Sequence, residues 1–235
     1  MLHIGGFFIT CNGIILNNYN MSHMLDLTGK QILSEFGKGI GMPGSGSVAV
    51  LSVLSGTQLL VSVCKLTVAK KSYKDVHDDI AEVQQKLEKD FIPKLESIMD
   101  RDAKVVKEML KYRIARDRET DPDKKEEYKQ KALEILEHAT DTMMELCATC
   151  LDIIPMALHA YRIGLISAQG DSGVVLSNIL SGASSGLYMT LINLQAAGNS
   201  EWTTGKRSEV EIFFGRLHEY QYIHNGRLAA LYNKT

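Results

Sequence analysis

Proline and cysteine are scarce in this chain of 235 residues, and each shortage removes a class of structure. Four prolines, Pro43, Pro93, Pro122 and Pro155, leave long stretches with no helix breaker. Four cysteines, Cys11, Cys64, Cys147 and Cys150, are too few and too apolar in setting for a disulfide framework, so a reducing, cytoplasmic location is expected. An excess of either charge is also missing. The 26 basic and 28 acidic side chains give a formal net charge of −2, without the like-charge blocks that mark a nucleic-acid binder. No alternation of period two persists, and there is no internal repeat or low-complexity tract. What is present is 45% hydrophobic and 23% charged sequence, long enough to bury roughly 70–75% of its unfolded surface in one domain. These features predict an all-α, single-domain multi-helix bundle of about six to eight helices.

The opening MLHIGGFFITCNGIILNN lacks a basic n-region and is interrupted by Gly, Asn and Thr, which makes it a poor secretory leader. Residues 1–24 are read as an N-terminal extension and 25–235 as the helical domain. The most lipid-like run, Ser47 to Leu66, approaches the length of a membrane span. It also carries serines, Gly56, Thr57 and Gln58, so it is read as a buried central helix with no membrane partner. A short amphipathic helix precedes it at Leu25 to Phe36, joined by the glycine-rich loop GKGIGMPGSGS.

More than half of the charged side chains fall between Lys70 and Lys131, with signs mixed as on a solvated helix face. Through that region the apolar positions run Val76, Ile80, Val83, Leu87, Phe91, Leu95, Ile98, Val105 and Met109, the threes and fours of one helical face. The slot between Ile98 and Val105 is Asp102. A second periodic run, Tyr128 to Cys150, follows the loop DRETDPD, and Pro155 is expected to kink or break it. A further buried helix rich in small residues extends from Gly170 to about Ala197, with Asp171 or Ser172 as its N-cap. Its small side chains make it a natural neighbour of the Ser47 helix. The tail from Ser208 to Tyr232 reads as one more packing helix, and Trp202 before it suits a pocket cover or an interface equally.

An ionised carboxylate on an apolar face is costly unless paired, hydrated or functional. Burial of Asp102 would raise its pKa toward the range useful for proton transfer, whereas a salt bridge across the bundle would explain it equally well. The MPGSGS loop ahead of a helix offers backbone N–H groups to an anion or simply forms a tight turn; it matches neither the P-loop nor the dinucleotide fingerprint. Lys70, Tyr73, Lys74 and His77 group cations and an aromatic at the end of the buried helix, as an anionic ligand or a solvated helix end would require. Cys147-Ala-Thr-Cys150 has CxxC spacing inside a helical pattern, where core packing outweighs a zinc or redox role, and the histidines support no metal site.

Taken together, MPGSGSVAV at 42–50, LTVAKKSY at 66–73, MDRDA at 99–103, GDSGV at 170–174 and LINL at 191–194 resemble the cyclodeaminase domain family. Its members are folate enzymes that include the C-terminal half of formiminotransferase-cyclodeaminase and stand-alone methenyltetrahydrofolate cyclohydrolases. The resemblance implies an all-helical, typically homodimeric protein with no metal or tightly bound cofactor. It further implies a tetrahydrofolate derivative as substrate, transformed at the one-carbon bridge between N5 and N10. By the same resemblance Asp102 and Asp100 are the acidic residues of a D-x-D-A motif, with Asp102 the catalytic acid/base. Substrate contacts are implied for Gly44, Ser45, Gly46, Ser47, Lys70, Lys71, Tyr73, Asp171 and Asn193.

Three positions depart from the family pattern. Ser45 stands for the middle glycine of the turn, Met42 for Thr or Ala before it, and Met189 for the first Asn of the late motif. A side chain at Ser45 is expected to narrow a ligand's approach to the backbone, and Met189 to remove a hydrogen-bonding group. No formiminotransferase portion is visible, which places any channelled partner reaction on another chain. The alternative reading is a diverged member that serves as a binding or assembly protein, or that acts on another C–N bond.

Overall fold

The structure is a computed structural model that describes residues 24–39 and 43–233. It contains seven α-helices and no strand among the described residues. Met24, the first described residue, is buried in the core. The first expected helix is shorter than predicted. A 3₁₀ turn at Met24–Asp26 is followed by α1, Gly29–Phe36, which Thr28 opens. The Gln31 N–H donates to the Thr28 hydroxyl, and the Thr28 N–H donates to the Gln31 side chain at 2.8 Å, a reciprocal cap that satisfies two otherwise orphaned donors.

Helix α2, Ser45–Val68, is the buried central helix read from the sequence. The charged stretch after it is not one continuous helix. It comprises a 3₁₀ segment Lys71–Val76, α3 at His77–Lys86, a π turn at Leu87–Phe91 and α4 at Ile92–Arg118. Pro93 accounts for the wide turn: it has no N–H for the Lys89 carbonyl, and the Ile92 N–H reaches back instead to Leu87.

Asp121 caps α5, Pro122–Ile163, by accepting from the Asp123 and Lys124 N–H groups. Of the kink or break expected at Pro155, the break does not occur, and α5 runs through it. A proline inside a helix costs about 3 kcal/mol through its missing N–H bond and the clash of its ring with the preceding turn. Burial of Leu151, Ile153, Ile154 and Ala157 around the proline offsets that, at about 1.5–3 kcal/mol for each large aliphatic side chain.

Helix α6 spans Gln169–Ala197, and α7 spans Glu201–Tyr232. The α6 cap is Ala168, so Asp171 lies inside the first turn and does not cap it. Gly198, at φ 80°, ends α6 in a conformation that favours glycine, and Ser200 caps α7. Trp202 is half-buried against the core at the start of α7.

The expected pairing of the two small-residue helices is present. Helices α2 and α6 lie antiparallel in close contact, with Gly182 against Val53 and Ala49, and Gly56 against Asn178 and Ile179. One turn further along α6, Gly186 meets Cys147 and Met143 of α5. By length and composition alone α2, α5 and α6 could each cross a membrane. Much of their apolar surface packs on one another, while α2 turns Ser45, Ser55, Gln58, Ser62 and Lys65 outward together with Val48 and Leu66.

Candidate active site

The site is built where α2 begins. Gly44 precedes the helix in an extended conformation, followed by Ser45, Gly46 and Ser47 in its first turn. N–H groups of a first turn have no intrahelical acceptor and carry the positive end of the helix dipole. One carboxylate meets them. Asp102 of α4 accepts a hydrogen bond from the Ser47 hydroxyl at 2.8 Å and another from the Ser47 backbone. The seat demands glycine at 46, because a Cβ there would lie 2.7 Å from the Asp102 Cγ and 2.8 Å from its Oδ2.

Asp102 is 6% exposed. Burial pushes its carboxyl above the ordinary aspartate range, while the Ser47 hydroxyl and N–H pull it partly back. The neighbouring Arg101 turns away and bonds Glu145 of α5 at 2.6 Å. No cation pairs with Asp102 among the described residues, so the salt-bridge explanation is not the one they display.

The carboxyl opens onto a cavity of about 450 Å³. Glu35 and Phe36 of α1, Val106 and Met109 of α4, and Met189 of α6 form its walls. Asp102, Val106 and Met109 are spaced i, i+4, i+7 and therefore share one face of α4. The described lining holds two carboxylates, Asp102 and Glu35, and no Lys, Arg or His; Glu35 itself is paired with Lys38. Two of the three sequence departures meet here, since the Ser45 hydroxyl donates to the Met189 sulfur at 2.7 Å at the cavity wall. Met42 lies outside the described residues.

The residues singled out in the sequence fall into two groups. Gly44, Ser45, Gly46, Ser47 and Asp102 come together at the cavity. Lys70, Lys71 and Tyr73 stand at the opposite end of α2, about 36 Å away for a helix of this length. Tyr73 has a structural task there, its hydroxyl accepting the Ile166 N–H at 3.0 Å, and Asp171 is exposed at the same end in the first turn of α6. Asn193 is buried one turn beyond Met189 without lining the cavity. Asp100 lies about 200° around α4 from Asp102 and does not line it either.

Glu35, Phe36 and Val106 had not been singled out. Val106 carried a signal, being one turn from Asp102 on α4; Glu35 and Phe36 reach the cavity only through tertiary packing. Cys147 and Cys150 are buried, with the Cys147 thiol pushed up to about 12 by burial and Cys150 raised likewise, as inert core groups are. No cluster of three or more metal-ligating side chains occurs among the described residues.

The sequence model of formiminotransferase-cyclodeaminase matches residues 28–212. The chain belongs to that family. A methenyltetrahydrofolate cyclohydrolase from Methylorubrum extorquens is 26% identical to this family member over 170 residues, covering 72% of this chain and 80% of its own length. The crystal structure of a formiminotetrahydrofolate cyclodeaminase from Thermotoga maritima shares the fold. It superposes with a TM-score of 0.76 at 15% identity, over 89% of this chain and 99% of its own.

Proposed function

We propose that this member of the formiminotransferase-cyclodeaminase family opens or closes the one-carbon bridge between N5 and N10 of a reduced folate, with Asp102 as proton carrier. The observation that carries the reading is the buried, cation-free carboxyl of Asp102 at the floor of a cavity, held by Ser47 and seated against Gly46. A carboxyl whose pKa is raised by burial is suited to exchange protons near neutral pH. The charge of the lining supports the same reading: a 5,10-methenyl bridge is a cation, and with Glu35 paired to Lys38 the carboxyl left to face it is that of Asp102.

Cyclohydrolysis is the first reaction to test, because the cyclohydrolase relative has the higher identity. Water adds to the bridge carbon as Asp102 takes its proton. The N5–carbon bond then breaks, Asp102 returns the proton to N5, and the added hydroxyl loses its remaining proton to solvent, leaving a formyl group on N10. In the deaminating alternative, N10 attacks the carbon of a formimino group on N5 that is already protonated as its amidinium, and Asp102 moves the N10 proton to the departing NH2. Ammonia leaves and the methenyl bridge closes.

The proposal includes a homodimer and a cytoplasmic location. Unpaired, buried Cys64, Cys147 and Cys150 support the latter. The test is to mix purified protein with 5,10-methenyl- and 5-formimino-tetrahydrofolate and follow methenyl absorbance. Loss of absorbance with the first, or gain with the second, is expected above the uncatalysed rate. Inertness toward both, with no binding of any reduced folate, would overturn the reading in favour of the diverged binding protein.

A further inference from the structure

Glu35 is set into the wall of the Asp102 cavity and has no task in the chemistry described above. The capping box at Thr28 fixes the register of α1, so that Ile32 is buried in the core while Glu35 and Phe36, three and four residues on, flank the same side. The Glu35 side chain is accordingly only 20% exposed, although a glutamate on a short surface helix is normally solvated. Its two oxygens accept from the Lys38 ammonium at 2.6 and 2.7 Å. The Lys38 side chain is 42% exposed, and an ion pair so open to solvent holds its partner weakly. A carboxylate has about four lone-pair sites, so an ammonium shifted to the outer side of one oxygen leaves the pair of oxygens able to take two further donors.

The rest of the described lining suits a flat ring and offers its edge few side-chain acceptors. Phe36, Val106, Met109 and Met189 are apolar, Ser45 gives its hydroxyl proton to the Met189 sulfur, and Asp102 is engaged by Ser47 and assigned to the bridge. Among the described side chains of the lining, Glu35 is the other carboxylate. A pterin presents the complementary chemistry: a flat bicycle whose pyrimidine edge, across the rings from the N5/N10 bridge, carries two adjacent donors, the N3–H and the 2-amino group. Two parallel N–H donors match the two oxygens of a carboxylate as the arginine fork does. That edge is uncharged, which suits a glutamate whose charge Lys38 balances, while the cationic bridge faces the charge of Asp102. At about 450 Å³ the cavity lies toward the lower end of small-molecule sites, which run from about 300 to 1,000 Å³, and it takes a fused ring system more readily than a whole folate.

We propose that Glu35 is the specificity residue of this site: its carboxylate accepts the N3–H and 2-amino group of a pterin lying against Phe36 with its bridge end turned to Asp102, a role that rests on the folate reading above. The position selects 2-amino-4-oxo ring systems against 2,4-dioxo ones. The latter offer a carbonyl where the amino group would donate, which sets two acceptors face to face.

Fluorescence titration with 6-methylpterin and with 6-methyllumazine, its 2,4-dioxo counterpart, tests this without turnover. Wild type is expected to bind the pterin at least about tenfold more tightly. Glu35→Gln keeps the shape but replaces one acceptor oxygen by an amide donor, and should narrow that gap to about threefold or less. Equal affinity of wild type for the two, no binding of either included, overturns the assignment, as does a gap that Glu35→Gln leaves intact. In turnover, Glu35→Gln should raise KM at least about tenfold for the folate that wild type converts, with kcat within about threefold. Lys38→Met breaks the ion pair and spares the acceptor, so its KM should be unchanged or lower. An unchanged KM in Glu35→Gln overturns the assignment, and so does an equal rise in Lys38→Met, which would leave Glu35 as half of an ion pair that holds α1. Pterin selectivity that Glu35→Gln abolishes, in a protein inert toward every reduced folate, would instead retire the bridge chemistry and leave the pterin subsite standing.

Discussion

Alanine at position 46 is the smallest change that tests the placement of the carboxyl. Its methyl carbon would lie 2.7 Å from the Asp102 Cγ and 2.8 Å from Oδ2, against an ordinary separation of about 3.5 Å. The side chain must therefore retreat by about 1 Å and loosen its bond to Ser47. A hydrogen bond to a charged group contributes about 1.5–3 kcal/mol, roughly one to two decades in rate if the bond is needed for the reacting geometry. A misplacement of about 1 Å by itself costs on the order of a hundredfold. Acting the other way, alanine is favoured over glycine in a helix by up to about 1 kcal/mol. Gly46→Ala is thus expected to lower kcat/KM about a hundredfold while the melting temperature moves by no more than about 5 °C. The assay is decay of methenyl absorbance beside a thermal melt. A double variant with Asp102→Asn sharpens it, because a defect acting through Asp102 adds nothing once that carboxyl is gone. Retention of half or more of wild-type turnover in Gly46→Ala, or full additivity in the double variant, would refute the reasoning.

Three further outcomes follow from the same geometry. Ser47→Ala removes a bond that lowers the Asp102 pKa, so the acid limb of the pH profile of kcat/KM should move to higher pH; an unmoved limb counts against Asp102 as the titrating base. Asp102 titrates above the ordinary carboxylate range when folded, so wild type loses stability as pH rises from that range through the folded value, while the non-titrating Asp102→Asn does not. Urea unfolding at pH 4 and pH 8 should therefore show the variant gaining on wild type at the higher pH, and the reverse trend contradicts the burial argument. Gly182→Ala places a methyl against Val53 and the Ala49 carbonyl, separating α2 from α6; a loss of about 1–3 kcal/mol, or roughly 2–12 °C in melting temperature, is expected by calorimetry, and an unchanged melt contradicts the close packing.

Much of this was legible in the residues because burial leaves a period. The slot at Asp102 was visible as an acidic residue where the apolar rhythm of α4 required something else, and the small residues of α2 and α6 announced their contact. The illegible parts depended on tertiary packing. Pro155 reads as a breaker, yet the buried surface on both sides of it holds α5 together. The charged stretch reads as one helix, since a π turn before Pro93 alters backbone pairing without disturbing the apolar spacing. The motif residues Lys70, Lys71 and Tyr73 looked like members of one site with Asp102. Sequence order carries no distance, and the full length of α2 separates them.

The central claim is that the Asp102 carboxyl moves the proton at the N5/N10 bridge. Its most direct test is the single-turnover decay of 5,10-methenyl-tetrahydrofolate on wild type and on Asp102→Asn, with folding verified by circular dichroism. The account predicts rapid decay on wild type and a loss of about a hundredfold or more in the variant, with binding retained. Equal rates on the two folded proteins would contradict it.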